Sequence, residues 1–542
     1  MDRSGSPLGR LSNRGLLLVA LAPVTFLTVF FVYPIASILW RGATSDIGSL
    51  FESFGKPTFV RVVWFTLWQA AASTALTVVI ALPTCHLLAL HRFRGRAALR
   101  AATTVPFVLP TVVVGGAFTA LFDRLGLDGG VFRVHHTIWA VLLAHVFFNV
   151  AVVVRTVGSF WEGMGVGPEE QARSLGASPW QAFRWVTLPR LGPALASAAS
   201  IVFLFCLTSF GVILILGGPT MATLETEVWR HAVWRGDLPS ATALAVVQLV
   251  AVVAAVAVTN RLQRRLVVPG RQQAGRLPKP PRHLLAVNLA GVGLLIGLPV
   301  AVLLERSLST HGGYSFRNYS ALADRVDLLP VSSLVALSNS LLFAVLATGM
   351  AVVVGGLASV VVVHGRHWTS RLLDLGMTLP LGASAVTLGF GMLIALDEPP
   401  LDVRSSRWLV PVAHALVGVP FVIRILVPTL RSVDARLREA AAVLGASPTS
   451  VRMEVDLPIA WRGLLVGAGF AFAVSIGEFG ATSFLPRSPD RLTAPLALFR
   501  LLGTPGEALR GQAMALAVVL MGLTACAVLA IERVRGPIRG SL

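Results

Sequence analysis

The side chains able to do chemistry in this 542-residue sequence are few and scattered through apolar surroundings. Cys85, Cys206 and Cys526 each lie in an apolar run, a spacing that makes neither a disulfide framework nor a metal site. His86 and His145 have no carboxylate or cysteine companions, and such histidines serve more often as interior hydrogen-bonding groups than as ligands. Gly55-Lys56 is followed by proline and no Gly-x4-Gly-Lys-Ser/Thr occurs, so nothing here cradles a triphosphate. Glu478 is the clearest charge inside an apolar stretch. A proton relay or a membrane-embedded enzyme would need several such groups at one depth, and none assembles.

What repeats instead is a loop. Leu-Gly-Ala-Ser-Pro occurs at residues 175–179 and again at 444–448. Glu170, Gly176 and Pro189 stand 269 residues before Glu439, Gly445 and Pro458. The same offset pairs His145 with His414, Arg155 with Arg424, Ser209 with Glu478, and Phe210-Gly211 with Phe479-Gly480. Upstream, Pro106 pairs with Pro380 and Gly115 with Gly389 at an offset of 274. In each loop the spacing predicts a short helix, with Glu169 and Glu170 at the positive end of the first one's dipole. Gly176 and Gly445 suit the left-handed position that stops it. Ser178-Pro179 and Ser447-Pro448 can then cap and start a second helix, and Pro189 and Pro458 punctuate the return to the apolar runs. One such loop would also fit an amphipathic helix lying on a membrane; two in identical register argue instead for a bent helix pair projecting from each half.

The elements that must position these loops follow from composition. Apolar residues make up 55% of the chain and charged residues 13%, against about 25% charged in soluble domains. Lipid must therefore be the solvent, which excludes a globular enzyme of the cytosol or medium and a disordered chain. Stretches near the ~20 apolar residues needed to cross a bilayer recur at 15–40, 62–90, 101–122, 137–154, 191–217, 238–260, 283–304, 328–363, 375–396, 408–430, 463–484 and 511–531. The first is too long for a signal-peptide core and has no small-x-small cleavage site, so it is expected to remain as a helix. Much of the net charge of +19 sits in alternate loops, such as Arg92 to Arg100 and Arg261 to Arg282, that carry no acid. The positive-inside rule places these loops and both termini in the cytoplasm. The expected fold is an all-α polytopic membrane protein with about twelve transmembrane helices. They form two parallel six-helix repeats, 1–265 and 283–542, joined by a basic, proline-rich linker, 266–282. Glu478 then falls past the middle of the eleventh helix, facing the bundle interior or a vestibule. Two roles are open to it: favouring a cation along a path, or fastening helices as a protonated or paired glutamate.

Glu170-Gln171-Ala172 and Glu439-Ala440-Ala441, with glycine and Leu-Pro at fixed distances beyond, resemble the signature cytoplasmic loop of permease subunits of binding-protein-dependent ABC importers. Gln171 is the one departure from Glu-Ala-Ala. The resemblance covers nearly the whole chain and implies two fused permease halves in a bacterial cytoplasmic membrane. It implies a non-catalytic subunit that binds no cofactor, with ATP and magnesium used by two separate ATPase subunits docked on the loops. It further implies a substrate-binding protein on the external face and no nucleic acid partner. Fused halves are typical of the thiamine and ferric-iron branch. Ala144-His-Val-Phe-Phe-Asn149, Ser209-Phe-Gly-Val and Leu216-Gly-Gly with Thr223-Leu-Glu225 look most like thiamine permeases. Ser475-Ile-Gly-Glu-Phe-Gly480 is similar to those and to sulfate and molybdate permeases. Thiamine is a flat aromatic cation, so Phe147, Phe148, Phe210 and Phe479, with Ser209 and Glu478, are the candidate path residues. Iron(III) prefers oxygen ligands, and the helices offer few carboxylates or tyrosines. The expected cargo is thiamine or a thiamine phosphate, with ferric iron as the alternative. An ion-coupled secondary transporter is less favoured, since it gives no reason for two identical loops.

Overall fold

In hydrocarbon a backbone has no water to bond, so an apolar chain of this kind folds as helix. Among the described residues the one extended pairing is a two-residue hairpin, Ser309–Thr310 with Gly313–Tyr314. The computed structural model describes residues 13–44, 57–129, 133–165, 167–264, 278–365, 367–397, 401–403, 406–485 and 488–535. The first half runs α1 (Leu18–Thr44), α2 (Pro57–Leu90), the pair α3 (Arg96–Val108) and α4 (Thr111–Arg124), and α5 (Ile138–Met164). It continues through α6 (Gly167–Ser174), α7 (Pro179–Leu207), α8 (Leu224–Trp229) and α9 (Leu238–Gln263). The second half repeats this order with α10 (Arg282–Leu308), α11 (Ser333–His364), the pair α12 (Trp368–Pro380) and α13 (Ala385–Ala395), and α14 (Leu409–Arg431). It ends with α15 (Ala435–Val443), α16 (Met453–Ile476), α17 (Ala494–Leu502) and α18 (Glu507–Val534). Among the described residues ten helices are long and apolar enough to cross a membrane, and each bent pair counted as one span brings the number to twelve. The linker expected at 266–282 lies outside the described residues up to 277, as do residues 1–12 with Arg3 and Arg10.

The two pairs correct the reading of 101–122 and 375–396 as straight spans, for they bend by 106° and 96°. Pro110 lacks an N–H and disfavours helical backbone at the residue before it, so Leu109 is extended (φ −67°, ψ 142°) and the chain turns. In the second pair the helix runs past Pro380 to Gly382, and Ser384 caps α13 by accepting the Val386 and Thr387 amides at 3.1 and 3.3 Å.

Pro189 and Pro458 also act differently from expectation. Neither stops a helix; each follows a wide π turn, Phe183–Thr187 or Arg452–Asp456, and the helix runs on. Hence α7 starts inside the loop at Pro179 instead of at 191, and in the second loop a helical turn, Pro448–Val451, leads through the π turn into α16, ahead of the expected start at 463. The same device recurs at Thr28–Val32 before Pro34 in α1 and at Gly293–Gly297 before Pro299 in α10. A proline ring collides with the carbonyl four residues back and leaves it unbonded; a widened turn relieves both and lets the helix continue.

The halves exchange their first spans. Helix α1 packs on α11 and α13, and α10 packs on α2 and α4. The broken helices add to the interface, α13 meeting α8 and α9 while α4 meets α17 and α18. Arg306 of α10 reaches Asp123 of α4 (Nη2–Oδ2 2.7 Å), and Arg41 of α1 donates to the Ile394 carbonyl of α13 at 3.3 Å. Ile38, Phe210, Leu303, Phe390 and Phe479 belong to one apolar core that spans both halves.

Candidate functional site

The repeated loops close with the same backbone geometry. In the first, Ala177 N–H donates to Ala172 O at 3.1 Å and Gly176 N–H to Arg173 O at 3.0 Å. In the second, Ala446 N–H donates to Ala441 O and Gly445 N–H to Ala442 O, both at 3.0 Å. These are paired 6→1 and 5→2 bonds, which need a left-handed residue after the helix. Gly176 has φ +94° and Gly445 φ +86°. Glu170 lies in the first turn of α6, while α15 begins earlier relative to the motif, so Glu439 and Ala440 sit in its interior. Ser178 makes a full capping box with Gln181, and Ser447 Oγ accepts the Ser450 amide at 3.1 Å. Each loop thus presents a bent helix pair, with Leu175 89% and Leu444 87% exposed at the bends. A brace not foreseen from sequence ties each loop helix to its π turn. Thr187 Oγ1 donates to Glu169 Oε2 at 2.9 Å, and at the equivalent positions Arg438 Nε donates to Asp456 Oδ1 at 2.7 Å.

At the far ends of α7 and α16 the paired positions of the two halves meet. Phe210 and Phe479 stack with centroids 5.3 Å apart and planes at 20°. Phe210 also lies 6.1 Å from Trp229 of α8, and Phe479 lies 5.3 Å from Phe499 of α17. Trp229 and Phe499 complete the circuit edge to face at 5.9 Å. Four rings, two from each half, therefore close on one another across the interface. Phe147 and Phe148 are not part of this. Phe147 is buried in another core, edge-on to Phe118 at 5.6 Å, and Phe148 packs beside it.

Ser209 and Glu478, at equivalent positions, are each held by the equivalent histidine. His145 bridges Ser73 Oγ (2.8 Å) and Ser209 Oγ (2.9 Å). His414 bridges Ser475 Oγ (2.8 Å) and Thr482 Oγ1 (2.7 Å), with Nε2 3.3 Å from Glu478 Oε2. Glu478 does not lie within a helix, since α16 ends at Ile476. Its carboxylate instead caps the turn that follows, accepting the Ala481 amide at 2.7 Å, the Thr482 amide at 3.0 Å and the Thr482 hydroxyl. That hydroxyl proton is committed to Glu478, so Thr482 Oγ1 accepts from His414 Nε2–H.

A second buried carboxylate escaped the sequence reading of charges. Glu225 of α8 is 0% exposed and joins the halves. It accepts Gln248 Nε2 of α9 at 2.7 Å and the hydroxyl of Ser384, which caps the broken-helix corner of the other half, at 2.6 Å. Thr223-Leu-Glu225 stands between apolar runs, where a search for charges within spans passes over it. Its signal was the capping pattern of Thr223 with Thr226 at the start of a short helix.

Two related halves, broken spans meeting at their interface and paired loops at one end define a multi-pass membrane transport subunit. The chain belongs to the family described as binding-protein-dependent transport system inner membrane components, whose profile matches residues 73–268 and 351–533. It is thus an inner-membrane permease subunit of an ABC importer, non-catalytic and without a cofactor of its own, the ATPase being a separate subunit of the complex. It is similar to the thiamine transport system permease protein ThiP of Salmonella typhimurium, 26% identical over 491 residues, covering 86% of this chain and 87% of that one. The probable ABC transporter permease protein y4fN of Sinorhizobium fredii is 24% identical over 520 residues, covering 87% of each. The sulfate transport system permease protein CysT of Escherichia coli is 30% identical over 259 residues, covering 46% of this chain and 92% of that one.

Proposed function

We propose that this permease carries thiamine or a thiamine phosphate into the cytoplasm. The observation that supports this cargo is the four-ring cluster of Phe210, Trp229, Phe479 and Phe499 between the halves. A path between two related halves runs along their shared interface, and parting them would expose these ring faces to whatever crosses. Aromatic faces attract a flat organic cation by cation–π contact, worth about 0.5–2 kcal/mol each. The thiamine permease of Salmonella, similar over most of both chains, agrees with that chemistry. In this reading the stacked pair Phe210–Phe479 closes the path, and the four rings hand the cation onward when the halves separate.

The remaining assignments belong to the same proposal. Residues 1–265 and 283–542 act as the two permease halves, and 266–282 as the tether. The loops from Glu170 to Pro189 and from Glu439 to Pro458 each dock one ATPase subunit, their bends presenting Leu175 and Leu444. A binding protein delivers cargo at the opposite face, and both termini are cytoplasmic. The hydrogen bonds around Glu478 support its fastening role over a path role. The test of the cargo is uptake into cells lacking this gene, with labelled thiamine compared against labelled ferric iron. Loss of thiamine uptake alone is expected; loss of iron uptake with thiamine intact would overturn the cargo and leave the importer standing.

A further inference from the structure

Glu225 is costly where it lies. A buried carboxylate is tolerated when paired with a cation or saturated by donors, yet among the described residues it has no ion-pair partner and only two neutral donors, Gln248 and Ser384. Its surroundings add acceptors. Gln248 directs Nε2 at both Glu225 Oε1 (2.7 Å) and the Leu207 carbonyl (3.5 Å), which are acceptors, so its amide orientation is fixed and Oε1 is left buried without a partner. Gln69 repeats the arrangement. Its Nε2 faces the Cys206 and Thr66 carbonyls at 2.9 and 3.1 Å, and its Oε1 is likewise buried and unpartnered. Both glutamines are anchored on consecutive carbonyls at the end of α7, and the amide of Leu224, next to Glu225, donates to Thr66 at 3.0 Å. Glu225 and Gln248 thus lie at the junction with the other half, and Gln69, anchored one carbonyl earlier on α7, holds a second orphan oxygen within the first half; all three side chains are 0% exposed. Such a cluster lacks donors and positive charge. Trp229 of the four-ring cluster is one helical turn along α8, on the face that Glu225 shares.

We infer that Glu225, with Gln69 and Gln248, forms a cargo subsite that takes a positively charged, hydrogen-bond-donating group as it passes the aromatic rings. This rests on the organic-cation reading of the cargo. Glu478 has no such character, because its acceptors are spent on its own turn. The subsite sits where the corner of the broken helix α12–α13 meets the first half, so separation of the halves would release Ser384 and free one carboxylate oxygen for the cargo.

The test uses the whole transporter, ATPase and binding protein included, in proteoliposomes with labelled thiamine. Glu225→Gln keeps the volume, and the new amide can turn its oxygen to Gln248 Nε2 and its nitrogen to the Ser384 hydroxyl, so the variant complex should melt at the wild-type temperature or above it. Its thiamine uptake should fall at least tenfold, and Glu225→Asp, which keeps the charge, should recover part of the loss. Wild-type uptake by Glu225→Gln, or lost uptake together with a lowered melting temperature, would make Glu225 a fastening residue and overturn the subsite. Glu225→Asp no better than Glu225→Gln would do the same. Absence of thiamine uptake by the wild-type complex would overturn the cargo reading and the subsite together; uptake that survives Glu225→Gln overturns the subsite alone.

Discussion

At φ +86° the backbone of Gly445 costs a β-branched residue about 1–2 kcal/mol, although nothing lies within 4 Å of where its Cβ would stand. Gly445→Val should therefore leave the protein in the membrane while the loop loses its bend. ATP hydrolysis by the reconstituted complex should persist and thiamine uptake should fall, and normal uptake by the Gly176→Val/Gly445→Val double variant would sink the docking role. Glu478→Gln probes the other kind of residue. It turns one acceptor oxygen into an amide donor, so either the Ala481 or the Thr482 amide loses its partner, and a loss of about 1–3 kcal/mol in stability is expected, with uptake per folded molecule unchanged. A raised KM for thiamine at wild-type melting temperature would return Glu478 to the path. The glycines were legible from spacing because a left-handed stop has one favoured residue type. Glu478 was misplaced by hydropathy alone, since the apolar run continues past the end of α16 through residues that form a turn. Phe147 and Phe210 look identical in a linear sequence; which one faces its own half and which faces the other is decided by packing.

Among elements, the π turns ahead of Pro189 and Pro458 set how each loop leaves its membrane helix, and the brace across each turn fixes the angle. Asp456 is buried and accepts Arg438 at 2.7 Å. Arg438→Ala leaves that carboxylate without its charged donor and should destabilise the loop by about 1–3 kcal/mol. Limited proteolysis should show faster cleavage near Leu444, and Arg438→Ala/Asp456→Ala should restore part of the protection. Equal cleavage of the single and double variants would mean that the brace carries no positional role. These turns were hidden in the sequence because proline was read as punctuation. A proline that ends an α-helical ladder and one that follows a widened turn have the same local signature, and the bends at Pro110 and Ser384 likewise arise inside runs whose hydropathy is unbroken.

For the whole molecule the repeat was legible by subtraction, down to the pairing of Phe210 with Phe479, while their stacking came from the structure. The exchange of first spans was not, since an offset says which residues correspond and nothing about which half they touch. The contacts α1–α13 and α10–α4 make each half incomplete without the other. Separately produced 1–265 and 283–542 should therefore each be unstable alone. Coproduced, they should copurify and restore uptake, and a stable, monodisperse 1–265 fragment would contradict the exchange.

That exchange also orders events on the ribosome. Helix α10 emerges after α1 to α9, so α4 waits for its packing partner, Arg306 included, until residues beyond 282 have been made. Throughout that interval the nascent first half exposes a seam that only its own unfinished sequel can cover. A premature stop beyond α9 would leave that seam permanently open, marking the product for membrane proteases instead of yielding half a transporter.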